Sequence, residues 1–200
     1  MRIGAREVGP GHPAVRLAAV GTAHEGDVQL GYKLVETAGA AGADAVVLGR
    51  GALSDRDFTC VLGHAGHVGL AAIGIVSREE DVLFLAALDI AALRIVGSDR
   101  SPVLAAAART RRPLVVSLAE PDVAATALVV LTCRDAGAND LALLAPNPRM
   151  MKTWQAAWPG VPIGLLGEGF PPDELQASHA ALIETEHRLP VSSVPRRNRP

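Results

Sequence analysis

The side chains best equipped for chemistry sit at or near the ends of short apolar runs. His24 and Glu25 follow the run Leu17–Val20 in a glycine-flanked turn. Imidazole is by its intrinsic chemistry suited to act as a general base, but the His24 ring could equally serve to hydrogen-bond the loop backbone, and the sequence leaves both readings open. Arg94 stands inside the run 91–96, Ser117 inside 113–118 and Glu184 inside 181–185. Strand alternation turns Arg94 inward, where a guanidinium requires an anionic partner. Either Glu184 supplies it as a structural ion pair, or Arg94 holds a substrate carboxylate or phosphate. His24, Glu25, Arg94 and Glu184 are therefore the catalytic candidates. Arg50, Ser77, Asp99, Ser117, Glu120 and Asn147 are candidate ligand contacts, as side chains in or just beyond other apolar runs.

A regular alternation of elements must position these residues. The run 17–20, the turn Thr22–Gly26, a helix from Asp27 to about Ala41 and a second run Ala45–Leu48 form one β-loop-α-β unit. Asp27 is a suitable N-cap and Gly42 a suitable helix stop. Strands are then expected at Gly69–Val76, Ala91–Val96, Pro113–Leu118, Leu141–Leu144, Pro162–Leu166 and Ala181–Thr185. Helices are expected at about Ser54–Ala65, Arg78–Leu88, from Ser101-Pro102, Pro121–Ala136, from Pro148, and Pro172–Ser178. The strands are apolar without strict alternation, as when both faces are buried in a parallel sheet. Eight strands joined by helical crossovers favour an α/β fold of the compact (β/α)8 TIM-barrel type, smaller than the usual ~250 residues. Residues 1–14 read as an N-terminal β-hairpin covering the barrel bottom, 15–190 as the barrel and 191–200 as a disordered tail.

Bulk composition narrows the class. The chain has 200 residues, 49% hydrophobic, with a formal net charge of −2, which suits one globular domain with a sizeable core. Aromatics are only 3% and the basic residues are scattered, which argues against nucleic-acid binding. No apolar run reaches the ~18 residues of a membrane span, and the N-terminus lacks a signal-peptide core, so a cytoplasmic protein is expected. Neither lysine, Lys33 or Lys152, falls at a strand end, which argues against Schiff-base chemistry. Cys60 and Cys133 lack ligand spacing and are expected as buried free thiols. His64 and His67 read as outer-surface or packing residues, and Trp154 and Trp158 as one packing face.

The segments GPGHP (9–13), AVGTAHEGD (19–27) and AGADAVVLG (41–49) carry a resemblance to the sialic acid synthase family. That family's barrels condense phosphoenolpyruvate into nonulosonic acids. Weaker matches continue through LRIVGSD (93–99), RPLVVSLAE (112–120) and IETEHRL (183–189). The resemblance implies the barrel, a small-molecule substrate and a homodimer. It also implies departures, because Ala19, Ala23, Val47 and Gly49 stand where the family has glutamate, asparagine, lysine and glutamine. Without those groups a phosphate and a carboxylate would be left unpaired, which argues against phosphoenolpyruvate condensation. The family's C-terminal antifreeze-like domain is not present in these 200 residues. The family's metal histidines align with Glu168 and with Glu186, beside His187; such a set could hold Mn²⁺ or Mg²⁺. Apolar residues at strand ends, Ala19, Ala23, Val47, Ile75, Val76, Leu118 and Ala145, are expected to line the mouth. The resulting expectation is a divergent barrel enzyme with lyase-, cyclase- or isomerase-type acid/base chemistry on a partly apolar molecule. The alternative is a catalytically silent barrel that binds a ligand or partner subunit.

Overall fold

In the computed structural model, residues 1–96, 101–118, 123–166 and 180–186 are described, with the side chains of Ser101 and Glu186 left out. The chain begins with a two-stranded antiparallel hairpin, β1 (Arg2–Ile3) and β2 (Arg6–Glu7). Eight parallel strands follow: β3 (Val15–Gly21), β4 (Ala45–Leu48), β5 (Ala71–Val76), β6 (Ala92–Val96), β7 (Leu114–Ser117), β8 (Leu141–Ala145), β9 (Ile163–Leu166) and β10 (Leu182–Glu186). They close in that order, with β10 hydrogen-bonded to both β9 and β3. The connecting helices are α1 (Val28–Ala40), α2 (Asp55–His67), α3 (Glu79–Ala86), α4 (Ser101–Arg109), α5 (Val123–Asp135) and α6 (Pro148–Ala157). The expected TIM barrel with its N-terminal hairpin is thus the observed fold. The helix expected at Pro172–Ser178 lies outside the described residues.

Local sequence explains where the helices start and stop. The Asp27 carboxylate accepts from the backbone N–H groups of Gln29 and Leu30, at 2.9 and 3.3 Å, satisfying donors the first turn leaves free. Gly42, with φ of 79°, leads the chain out of α1 into β4. Ser54 caps α2 and Asn147 caps α6, the latter followed by a proline at the first helical position.

Two apolar layers share the strands. Leu17, Val47, Ile73, Ala92, Val115, Leu144 and Leu182 fill the barrel interior, joined at its lower end by Ile3 and Val8 of the hairpin. The alternate residues, among them Ala18, Val46, Leu93, Val116 and Leu143, pack outward under the helices. This alternation corrects part of the expected mouth. Val76, Leu118 and Ala145 belong to the outer layer, because each is one residue out of phase with an inward neighbour. Cys133 is buried as expected, but Cys60 is exposed: it falls off the apolar stripe of α2 formed by Phe58, Val61, Leu62 and Ala65. Burial pushes the Cys133 thiol up to about 11. No helix among the described residues is long and apolar enough to cross a membrane.

Candidate functional site

A cavity of about 790 Å³ opens at the C-terminal end of the strands. Its wall is formed by Ala19, Val47, Ile75 and Leu166 from four strands, and its polar groups include Thr22, Glu25, Arg94 and Glu184. This is the end at which barrels of this type place their chemistry, because successive βα loops converge there.

Arg94 is drawn inward by the phase of β6: Leu93 and Ile95 pack under helices, and Ala92 shares the interior with it. Its side chain is 3% exposed and meets Glu184, at 10%, across the barrel. Nε donates to one Glu184 carboxylate oxygen at 2.7 Å and Nη2 to the other at 2.9 Å. Nη1 donates to the Ile95 carbonyl and to the Ser117 hydroxyl, both at 2.8 Å. A guanidinium has five N–H donors, and four are engaged within the protein. The three inward polar residues picked from the sequence, Arg94, Ser117 and Glu184, therefore form one network, and the pairing reading of Arg94 is the observed geometry.

His24 takes the other of its two roles. The ring is fully buried behind the loop after β3 and does not line the cavity. Nδ1 accepts the Gly26 N–H at 3.2 Å, and Nε2 lies 2.8 Å from the Gly49 carbonyl, so the tautomer satisfying both carries its hydrogen on Nε2. With both nitrogens taken by backbone, the ring ties the β3 loop to the end of β4. Its neighbour Glu25 is exposed and lines the cavity from a left-handed backbone conformation with φ of 49°.

Three expected ligand contacts do not line the cavity. The Arg50 guanidinium lies 2.6 Å from Asp55 and 3.6 Å from Asp81, with Phe84 beneath it, so it bridges the starts of α2 and α3. The Ser77 N–H donates to Asp81 at the start of α3, and the Asn147 side chain is occupied as a helix cap, accepting from the Met150 N–H at 2.9 Å. Asp81 is the organiser that sequence reading missed. It is nearly buried and accepts from the Ser77 and Arg78 N–H groups; the signal was its place two residues into a helix. Asp99, Glu120, Glu168 and His187 lie outside the described residues, and of Glu186 only the backbone is described, on β10 beside Ala19. Among the described residues no group of three or more His, Cys, Asp or Glu could hold a metal. The described carboxylates at the mouth, an arginine-paired Glu184 and a single Glu25, do not make up a metal-binding set.

No family profile matches the sequence. An uncharacterised protein of Methanocaldococcus jannaschii is 26% identical over 165 residues, covering 72% of this chain and 49% of its own, so the chain spans about half the length of that relative. Among solved structures, the N-acetylneuraminic acid (sialic acid) synthetase of Leptospira borgpetersenii, in complex with citrate, superposes with a TM-score of 0.81 at 18% identity. It covers 92% of this chain and 76% of its own. The spore coat polysaccharide biosynthesis protein SpsE of Bacillus subtilis gives 0.79 at 22% identity, covering 92% and 62%. A truncated 3-deoxy-D-arabino-heptulosonate 7-phosphate synthase of Thermotoga maritima gives 0.73 at 14%, covering 97% and 82%. These likenesses are likenesses of fold: the architecture is that of a sialic-acid-synthase-like barrel, as the sequence resemblance implies.

Proposed function

We propose that the mouth of this barrel binds a small, uncharged and partly apolar molecule. On it the protein carries out a lyase-, cyclase- or isomerase-type step of a biosynthetic reaction, without phosphoenolpyruvate condensation. The observation that carries this reading is the internal satisfaction of Arg94. A phosphate or carboxylate entering the cavity would meet aliphatic walls and a guanidinium whose strongest donors already grip Glu184. A neutral ligand loses little on entry, gains apolar contact with Val47, Ile75 and Leu166, and can use Thr22 as a hydrogen-bonding group.

Glu25 is the acid/base group in this scheme. It lines the cavity and is in none of the ion pairs found among the described residues, so its carboxylate can reach a proton on a bound molecule. Arg94 and Glu184 supply a charge-neutral polar floor that orients the ligand, and His24 acts through the loop it fixes.

The test is ligand-observed NMR with a set of neutral cyclic alcohols and lactones alongside citrate and phosphoenolpyruvate. Neutral molecules should bind and be displaced by Ala23→Trp, which narrows the mouth; the two anions should not bind. Turnover of phosphoenolpyruvate with an N-acetylated sugar and Mn²⁺ would overturn the reading. A second reading, a silent barrel that only binds, draws on the His24 ring having both nitrogens committed. It wins if bound neutral molecules remain chemically unchanged.

A further inference from the structure

We propose that Glu184 is a built-in counter-ion that sets which ligand charge the cavity accepts. It occupies on Arg94 the seat that the carboxylate or phosphate of an anionic ligand would take. This inference rests on reading the mouth as a ligand site and names the residue that determines its specificity.

The geometry is that of a bound ligand carboxylate. Two parallel N–H···O contacts of 2.7 and 2.9 Å join the Nε and Nη2 edge of the guanidinium to both oxygens of Glu184. The other side of the guanidinium is fixed by Ser117 and the Ile95 carbonyl, so Arg94 is held in place whether or not Glu184 is present. The two residues are 90 apart in sequence and stand on β6 and β10, on opposite sides of the barrel, and both line the cavity. Glu184 thus meets Arg94 at the wall of the space a ligand would enter, and takes up two of its donors. With Glu184 there the floor has no net charge, and Glu25 on the same wall adds a repulsive carboxylate towards anions. Removing the Glu184 charge leaves a preorganised guanidinium, braced from behind by the Ser117 hydroxyl, at the wall of an open cavity, which is an anion site.

The experiment titrates inorganic phosphate into the full chain at low ionic strength. The side-chain Nε–H resonance of Arg94 reports binding in the wild type, in Glu184→Gln and in Glu184→Ala. The glutamine variant removes the charge while its amide oxygen still accepts one guanidinium N–H, so it keeps the fold if the alanine variant does not. The wild type should show no saturable binding. The variants should bind at least about tenfold more tightly, an effect of ~1.4 kcal/mol, and Arg94→Met combined with Glu184→Ala should abolish it. That pair of substitutions replaces the ion pair by apolar groups, which barrels and cores generally tolerate. Saturable phosphate binding at Arg94 in the wild type would overturn the proposal. So would a folded Glu184→Gln chain that gains no affinity. Failure of the proposed function looks different: neutral molecules would bind away from the mouth, unaffected by Ala23→Trp, whatever phosphate does.

Discussion

The two ends of the barrel are built from the same eight strands and solve opposite problems. At the N-terminal end the hairpin inserts Ile3 and Val8, exposed by only 1% and 3%, against Val15 and its neighbours, and the interior is closed by apolar packing. The hairpin is held from outside as well, since Arg6 reaches Asp44 at 2.9 Å. At the C-terminal end the inward positions pass from Leu17, Val47 and Val115 to Arg94, Ser117 and Glu184, and the interior opens. The lower end needs only volume, which any well-fitted aliphatic supplies. The upper end needs specific partners, because each buried polar atom there must be matched by another.

Four substitutions test that contrast, and they are ordered by expected effect. Arg94→Ala should cost about 4 kcal/mol, because it leaves the Glu184 carboxylate buried without its partner; chemical denaturation at neutral pH measures it, and a loss near 1 kcal/mol would mean that water readily replaces the guanidinium. Ile3→Ala at the opposite end should cost about 3 kcal/mol through lost burial and the cavity left behind, yet leave the affinity of neutral ligands unchanged. Affinity that falls in step with stability would show the two ends to be coupled. Asn147→Ala removes a helix cap at the C-terminal end but off the cavity wall and should cost about 1 kcal/mol, with no effect on ligand binding, so a loss of binding there would reinstate Asn147 as a contact. Glu25→Gln should change stability by less than about 0.5 kcal/mol, since the side chain is exposed, and should abolish turnover while binding persists. Retained turnover would remove Glu25 from its role.

Most of the fold was legible in the sequence. All eight strands lie where the apolar runs placed them, apart from a residue or two at their ends, such as β5 starting at Ala71 rather than Gly69. The reason is that a parallel strand buried on both faces has to be apolar throughout, and Asp27, Ser54 and Pro148 mark helix starts, the first two with side chains that can cap them and the third with a backbone angle suited to the first turn. The candidate site was legible only in part. Arg94, Ser117 and Glu184 stood out because polar residues are conspicuous inside apolar runs. His24, Arg50, Ser77 and Asn147 looked equally suited, since each ends an element at the same end of the barrel. The structure commits the side chains of His24, Arg50 and Asn147 to backbone, to Asp55 and Asp81, and to a cap, and places Ser77 off the cavity wall.

The sequence by itself determined the number and order of the barrel strands, the inward phase of the three polar residues and the aliphatic character of the mouth, because period and polarity are local properties of the chain. Only the tertiary structure decided which partner each polar group takes. A guanidinium on β6 and a carboxylate 90 residues later become a pair solely because closure of the sheet sets them across one cavity. No local pattern carries that distance.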